Sequence, residues 1–373
     1  MDNRLRIAIL GGGHAGFAHA ADLSIKGFEV RLFEVPEMAE TIAEVKKRGG
    51  IESEPDPSTG LKGGFGSLHM VTSHAEEALD GAEIAFVVVP AFAQKAFAKV
   101  IAPHVKQEQI VVLSPGNFGG AVTFAQALKA FGCQNLPILC EAQSMIYACR
   151  KGSPTSIKIF GIKEGLRFAV FPAKLTASVT PTLRNVFPTI EAAPSILWTW
   201  LSNPNAIGHP PVTILNAGRI EGTGGDFLFY VEGITPAVDR VLESLDSERL
   251  ALGSELGLEL IPHREMAKLW YGHQGFEGST YPDKARNPVY ASIKAEKELD
   301  SRYLTEDIPY GLVPIENFAK LAGVETPICT SLINLANALL DRDFRDTGQT
   351  LESVGLGGMS IPQITQLVEE GYS

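Results

Sequence analysis

Residues Arg6–Glu34 read RIAILGGGHAGFAHAADLSIKGFEVRLFE, and the order of residue types in this stretch decides the fold. Ile7, Ala8, Ile9 and Leu10 form the short apolar run of a strand buried on both faces of a parallel sheet. Gly11, Gly13 and Gly16 follow in the spacing GxGxxG. The first glycine permits a tight turn, the second lets backbone approach a pyrophosphate, and the third lets the next helix lie close on the strand. That helix, expected from about Ala15 to Lys26, aims its orphan amides and the positive end of its dipole at the same place. Gly27 stops it, and Phe28–Phe33 reads as a second strand ending in Glu34. An acid there accepts ribose hydroxyls and repels a 2′-phosphate, which favours NAD over NADP. Glycines alone would also suit a plain strand-to-helix turn; strand, helix, second strand and acid in succession point to a dinucleotide. Gly11, Gly12, Gly13, His14, Ala15, Gly16 and Glu34 are therefore expected at the cofactor.

Working outward, 373 residues exceed one ordinary core and suit two domains. A formal net charge of −11 argues against a nucleic-acid partner, whose phosphates need a basic footprint. No apolar run reaches the roughly 18 residues of a membrane-spanning helix, and no apolar leader precedes the first strand, so no membrane association and a cytoplasmic location are expected. Cys133, Cys140, Cys149 and Cys329 lack CxxC or zinc-type spacing and read as buried free thiols of a reducing compartment. The histidines show no HExxH-type pairing, so no metal is indicated.

After Glu34 a charged helix is expected over Met38–Lys47, then a Gly-, Pro- and Ser-rich loop over Gly49–Gly66. Leu68–Thr72 reads as a strand, with Ser73 capping a helix His74–Leu79. Ile84–Val89 is an apolar, β-branched strand. Val89 and Pro90 end it at the carboxyl edge, where open α/β sheets bind ligands, and count as cofactor contacts. A helix Phe92–Ile101 and a strand Ile110–Leu113 lead to a second glycine turn, SPGNFGG, Ser114–Gly120. Pro115 and Gly116 are expected at the cofactor and Asn117 at substrate or cofactor, the alternative being a purely structural turn. A helix from about Ala121 to Phe131 and a strand Ile138–Cys140 precede the polar stretch EAQSMIYACR, Glu141–Arg150, which either lines a site or holds satisfied loop groups. Ser156–Phe160 and Arg167–Phe171 read as further strands at the sheet edge.

Beyond Thr180–Pro188 strand-like runs give way to helical ones. Thr235-Pro236 and Thr326-Pro327 each pair a cap residue with a first-turn proline, and Ile328, Leu332, Leu335 and Leu339 recur at helical spacing. The plan is thus an N-terminal Rossmann dinucleotide-binding domain, residues 1–185, followed by a C-terminal helical domain, residues 186–373.

One polar, kinked segment interrupts the second half, NPNAIGHPP at Asn203–Pro211. Its prolines favour an extended His209 and make Pro210 or Pro211 a natural first helical residue, which places His209 at a helix N-terminus. The dipole there lowers an imidazole pKa, and an acidic neighbour would restore it. Asp307, in the stretch RYLTEDIPYG at Arg302–Gly311, is a candidate. A carboxylate on one ring nitrogen fixes the tautomer and leaves the other nitrogen to exchange protons. On chemistry alone His209 is also readable as a satisfied loop histidine, and Arg302 with Asp307 as a solvated pair.

The motifs GGGHAG, SPGNFGG, EAQSMIYACR, NPNAIGHPP and RYLTEDIPYGLVPIENFAKLAG together resemble the octopine/nopaline dehydrogenase family of opine dehydrogenases, over nearly the whole chain. The last two are the most specific. The resemblance implies an enzyme that joins the amino group of an amino acid to an α-keto acid and reduces the imine with NAD(P)H, its active site lying between a Rossmann and a helical domain. It matches His209 to the catalytic histidine, Asp307 to its aspartate and Arg302 to the arginine five residues earlier. A guanidinium fork suits a substrate carboxylate. Where the resemblance leads one to expect a hydroxyl after the glutamate stands Ala142, which passes that substrate contact to Gln143 or Ser144. The implied partners are small molecules, an amino acid and an α-keto acid, and a homo-oligomer is compatible with the plan. Two other readings share it: a 2-hydroxy-acid or ketopantoate-type reductase, and a non-catalytic NAD-binding regulatory protein.

Overall fold

The computed structural model describes residues 4–57 and 60–372. Its strands are β1 (Arg6–Leu10), β2 (Glu29–Phe33), β3 (Gly50–Glu54), β4 (Gly64–Ser67), β5 (Met70–Thr72), β6 (Ile84–Val87), β7 (Ile110–Leu113), β8 (Ile138–Ala142), β9 (Tyr147–Ser153), β10 (Ser156–Ile162), β11 (Arg167–Phe171) and β12 (Glu191–Ala192). The larger sheet runs β12-β11-β8-β7-β6-β1-β2-β5. From β5 to β8 it is parallel, and those strands taken in chain order read 3-2-1-4-5-6, the doubly wound dinucleotide-binding arrangement. Strand order reverses between β1 and β6, which opens a crevice at their carboxyl ends. The apolar run of β1 serves both faces: Ile7 and Ile9 pack into one core, Ala8 and Leu10 into the other.

The expected loop over Gly49–Gly66 instead carries a strand at each end. β3 and β4 pair within it, and β10 pairs with β3, so the Ser156–Phe160 strand belongs to a separate sheet β4-β3-β10-β9 rather than to the main sheet's edge. This sheet lies on the helix His14–Ile25, which is why Ala15 through Leu23 are all buried and the helix shows no polar face. Gly66 is what lets the sheet sit so close, since a Cβ there would stand 2.8 Å from the Ala21 carbonyl oxygen.

The helix Thr176–Val186 spans the expected 185/186 division, and β12 returns to the main sheet beyond it. Helices follow, with Pro204–Leu215 at their centre, packed on Pro236–Glu255, Pro327–Leu340 and the turns around Arg302–Leu312. That central helix corrects the reading of NPNAIGHPP. It starts at Pro204, capped by the Asn203 side chain accepting from the Asn205 amide at 3.0 Å, so His209 lies in mid-helix and Pro210 and Pro211 are interior. An interior proline costs about 3 kcal/mol. Near-complete burial of Ala206, Ile207, Val212 and Ile214 offsets it. Among the described residues no helix is long and apolar enough to cross a membrane. Cys133, Cys140 and Cys329 are buried free thiols, and Cys149 is half-buried.

Candidate active site

At the carboxyl end of β1 the glycines are held by contact on one side and open on the other. A Cβ on Gly11 would lie 2.6 Å from the Val88 carbonyl oxygen and 2.8 Å from the Val89 side chain, and one on Gly16 would lie 1.8 Å from the Gly11 carbonyl oxygen. Gly13 meets nothing within 4 Å, and with His14 it is exposed, whereas Ala15 is buried beneath them. No side chain caps the helix that begins here. This is the cradle a diphosphate needs: bare backbone, free space and a helix N-terminus. Glu34 accepts from the Gly12 amide at 2.7 Å and the Val35 amide at 2.9 Å, which fixes its carboxylate beside the turn.

Three cations add to the positive end of this crevice. Lys151 of β9 donates from Nζ to the Gly12 carbonyl at 2.6 Å and from its amide to His14 Nδ1 at 2.8 Å. Burial lowers the His14 pKa, and the charges of Lys151, Arg150 and Arg302 lower it further. Arg302 is thus felt at the glycine turn. It is largely exposed, does not line the main cavity, and pairs with Glu306 at 2.5 Å. Glu306 in turn accepts from the Ala91 amide at 3.0 Å, tying the Arg302–Leu312 segment to the helix just after Pro90.

The second glycine turn rests on Glu141. A Cβ on Gly116 would fall 2.4 Å from the Glu141 Cβ, the Pro115 carbonyl accepts from Gln94 at 2.9 Å, and Glu141 itself accepts from the Ala121 amide at 3.0 Å and bonds the Thr199 hydroxyl. Burial pushes the Glu141 carboxyl up to about 8. Asn117 takes a left-handed φ of 59°, its Oδ1 accepts from Asn203 at 2.6 Å, and its own Nδ2 is a buried donor with no partner among the described residues. Gln143 is spent on structure: it donates to the Ser202 carbonyl at 3.1 Å and accepts from the Arg167 amide at 3.4 Å. Neither Asn117 nor Gln143 lines the main cavity, whereas Ser144 does.

That cavity, about 750 Å³, lies between the sheet half and the helical half, and His209 faces into it. His209 Nδ1 is 2.7 Å from Asp307 Oδ2, and Nε2 is 3.0 Å from the Tyr230 hydroxyl. The Tyr303 ring stacks on the imidazole at 3.9 Å between centroids, with a 15° interplanar angle. With Nδ1–H donating to the carboxylate, neutral His209 presents the Nε2 lone pair, to which Tyr230 donates. Burial pushes the Asp307 carboxyl above its usual range, opposed by its hydrogen bond to His209.

Local sequence brings the pair together. Asp307 precedes a π-type turn, Ile308–Leu312, the rare wide helix that recurs at functional sites. Gly311 within it lets that turn touch the central helix, since a Cβ there would come 2.5 Å from the Ala206 Cβ. His209 and Asp307 are therefore joined across the sequence, while Arg302 lies outside the cavity lining, toward the glycine turn. Sequence reasoning missed Tyr230, Tyr303, Glu306 and Lys151; of these Tyr303 and Glu306 sit inside the RYLTEDIPYG stretch already singled out.

Comparison with known proteins agrees with this architecture. The model of the NAD/NADP octopine/nopaline dehydrogenase α-helical domain matches residues 192–340, and that of the NAD-dependent glycerol-3-phosphate dehydrogenase N-terminus matches residues 6–128. An opine dehydrogenase of Arthrobacter sp. (strain 1C) is 35% identical over 97% of this chain and 98% of its own. Vitopine synthase of Allorhizobium ampelinum is 29% identical over 95% and 96%. A structure of octopine dehydrogenase with NADH and L-arginine covers 99% of both chains with a TM-score of 0.78, at 19% identity, a likeness of fold. The chain belongs to the octopine/nopaline family of opine dehydrogenases, NADH-dependent oxidoreductases acting on CH–NH donors.

Proposed function

We propose that in the NADH-dependent reductive condensation of an amino acid with an α-keto acid, His209 is the proton-transfer residue and Asp307 the carboxylate that orients it. The observation that carries this is the 2.7 Å contact of Asp307 with Nδ1, which leaves Nε2 to the cavity side. Condensation of amine and ketone expels water and leaves an imine. His209, as imidazolium stabilised by Asp307, donates from Nε2 to the departing hydroxyl; as neutral imidazole it takes a proton from the incoming ammonium. Tyr230 holds Nε2 in place until substrate displaces it. Bound NADH supplies the hydride to the imine carbon.

The cofactor would be held by Gly11, Gly12, Gly13, His14, Ala15 and Gly16 at its diphosphate, with Glu34 at the ribose. Val89, Pro90, Pro115 and Gly116 would flank its path along the sheet edge. The field of Arg302 at His14 supports a place near the diphosphate rather than deep in the cavity. The unpartnered Asn117 Nδ2 supports a contact with cofactor or substrate at the second glycine turn. Gln143, already bonded on both sides of its amide, is better read as a support for β11 than as a substrate ligand.

The test is a matrix of amino acids and α-keto acids followed by NADH absorbance. Oxidation that requires both partners is the expected result. Oxidation with keto acid alone would move the chain to the 2-hydroxy-acid or ketopantoate-type reading, and NADH binding without oxidation across the matrix would leave a regulatory protein.

A further inference from the structure

Cationic side chains dominate the charged part of the His209 cavity lining: Arg150, Lys158, Lys163, Lys284 and Lys294, against the single carboxylate of Asp56. Lys158 is 3.6 Å from Asp56, and Lys294, at the exposed rim, is 2.6 Å from Asp226. The other two lysines differ. Lys163 is 7% exposed and Lys284 is 6% exposed, and among the described residues neither has a carboxylate within ion-pair distance.

What holds them is neutral. Lys163 Nζ donates to the Ser144 hydroxyl at 3.2 Å and to the Met145 carbonyl at 2.5 Å. Lys284 Nζ bonds His263 Nε2 at 2.8 Å, and His263 Nδ1 bonds the Tyr281 hydroxyl at 2.9 Å. The backbone amide of His263 is anchored on Asp246, which also pairs with the buried Arg249, so Lys284 is the outer end of a rigid polar chain. Gly208, directly before His209, makes room for it: a Cβ there would lie 3.2 Å from the His263 ring and 3.9 Å from Lys284 Nζ. Lys284 therefore stands beside the proton-transfer residue.

Burying an ammonium without a counter-ion is unfavourable. Burial lowers Lys284 to about 7 and Lys163 to about 8; at Lys284 the charge of Asp246 opposes the shift and that of Lys163 adds to it. A carboxylate bound in the cavity that both line would offset that cost; a guanidinium would add to it.

We propose that Lys163 and Lys284 form a carboxylate site that selects a substrate pair carrying a third carboxylate, beyond the one each amino acid and α-keto acid always brings. The inference rests on the reductive condensation described above. The extra group comes from one of two sources, the side chain of an acidic amino acid or the second carboxylate of a dicarboxylic keto acid.

The experiment compares kcat/KM for matched pairs on the full-length enzyme. Glutamate is set against glutamine with pyruvate, and 2-oxoglutarate against pyruvate with alanine; arginine with pyruvate is the cationic control. The proposal expects at least a tenfold preference for the tricarboxylate member in one arm, that arm naming the source, with arginine the poorest. Lys163→Met and Lys284→Met should reduce that preference to below threefold, chiefly by raising KM for the acidic substrate. If one variant fails to fold, the other and the wild-type ratios still decide. Glutamine and arginine turned over as well as glutamate, with pyruvate as good as 2-oxoglutarate, would overturn the carboxylate site and leave the dehydrogenase reading standing. No turnover with any pair would overturn both.

Discussion

In the sheet half, the glycines of the proposed nucleotide cradle all lie within Gly11–Gly16, with Lys151 as the distant contact, whereas in the helical half His209 meets Asp307 across 98 residues of chain. The cradle works through what is missing: side chains at Gly11, Gly13 and Gly16. The dyad works through what is gathered: an imidazole, a buried carboxylate and two tyrosines from separate segments. Buried acids differ between the halves in the same way. Glu141 accepts from a hydroxyl and an amide and has no cation partner among the described residues, while Asp307 accepts a hydrogen bond from an imidazole. A local device should fail locally, and an assembled one should fail at whichever partner is removed.

The largest expected effect among the supporting residues is at Asp307. Asp307→Asn replaces an acceptor-only group with an amide whose donor can face Nδ1, which favours the wrong His209 tautomer. kcat should fall about 10²-fold, with the NADH dissociation constant changed less than threefold in a fluorescence titration. Unchanged kcat would mean that the carboxylate only packs against the ring.

Next comes Gly16→Ala, which drives a Cβ to 1.8 Å from the Gly11 carbonyl oxygen. The turn must open, so NADH affinity should fall about tenfold or more while the His209 cavity keeps its shape. Wild-type affinity in this variant would show that the turn is not the nucleotide cradle.

The effect furthest from activity concerns Glu141 and is read in stability alone. Its folded pKa of about 8 lies above its ordinary 4.5. A raised pKa contributes stability that is intact below the unfolded value and is lost as pH rises through the folded one. Relative to Glu141→Gln, the wild type should lose at most about 1.4 kcal/mol per pH unit between those two values and then level off. Urea denaturation at several pH values checks this, and a pH-independent difference would contradict it.

Much of the sheet half was legible because its signals are local. Ile110–Leu113 and Arg167–Phe171 form strands at the expected limits, and the expected helix after Gly13 is displaced by a single residue at each end. The second sheet was not, because β3 and β4 lie in a Gly- and Pro-rich stretch with turn-like composition, and the strand that extends their hairpin into a sheet, β10, pairs with β3 from far along the chain. In the helical half, Pro210 and Pro211 carry the usual mark of a helix start, yet burial keeps them inside a helix that Asn203 and Pro204 had already begun. His209 and Asp307 were found by motif, but their contact depends on Gly311 and the π-type turn, which no spacing rule announces. Lys163 and Lys284 were invisible as a pair, since an isolated lysine reads as a solvated side chain until tertiary packing buries it.

The division of labour between the halves is tested most directly by His209→Ala, measured twice on one preparation: NADH binding by titration, and turnover with a saturating amino acid and α-keto acid. NADH affinity should stay within about threefold of wild type while kcat falls by roughly 10²- to 10⁴-fold. Full turnover in this variant, or loss of NADH binding in step with activity, would contradict it.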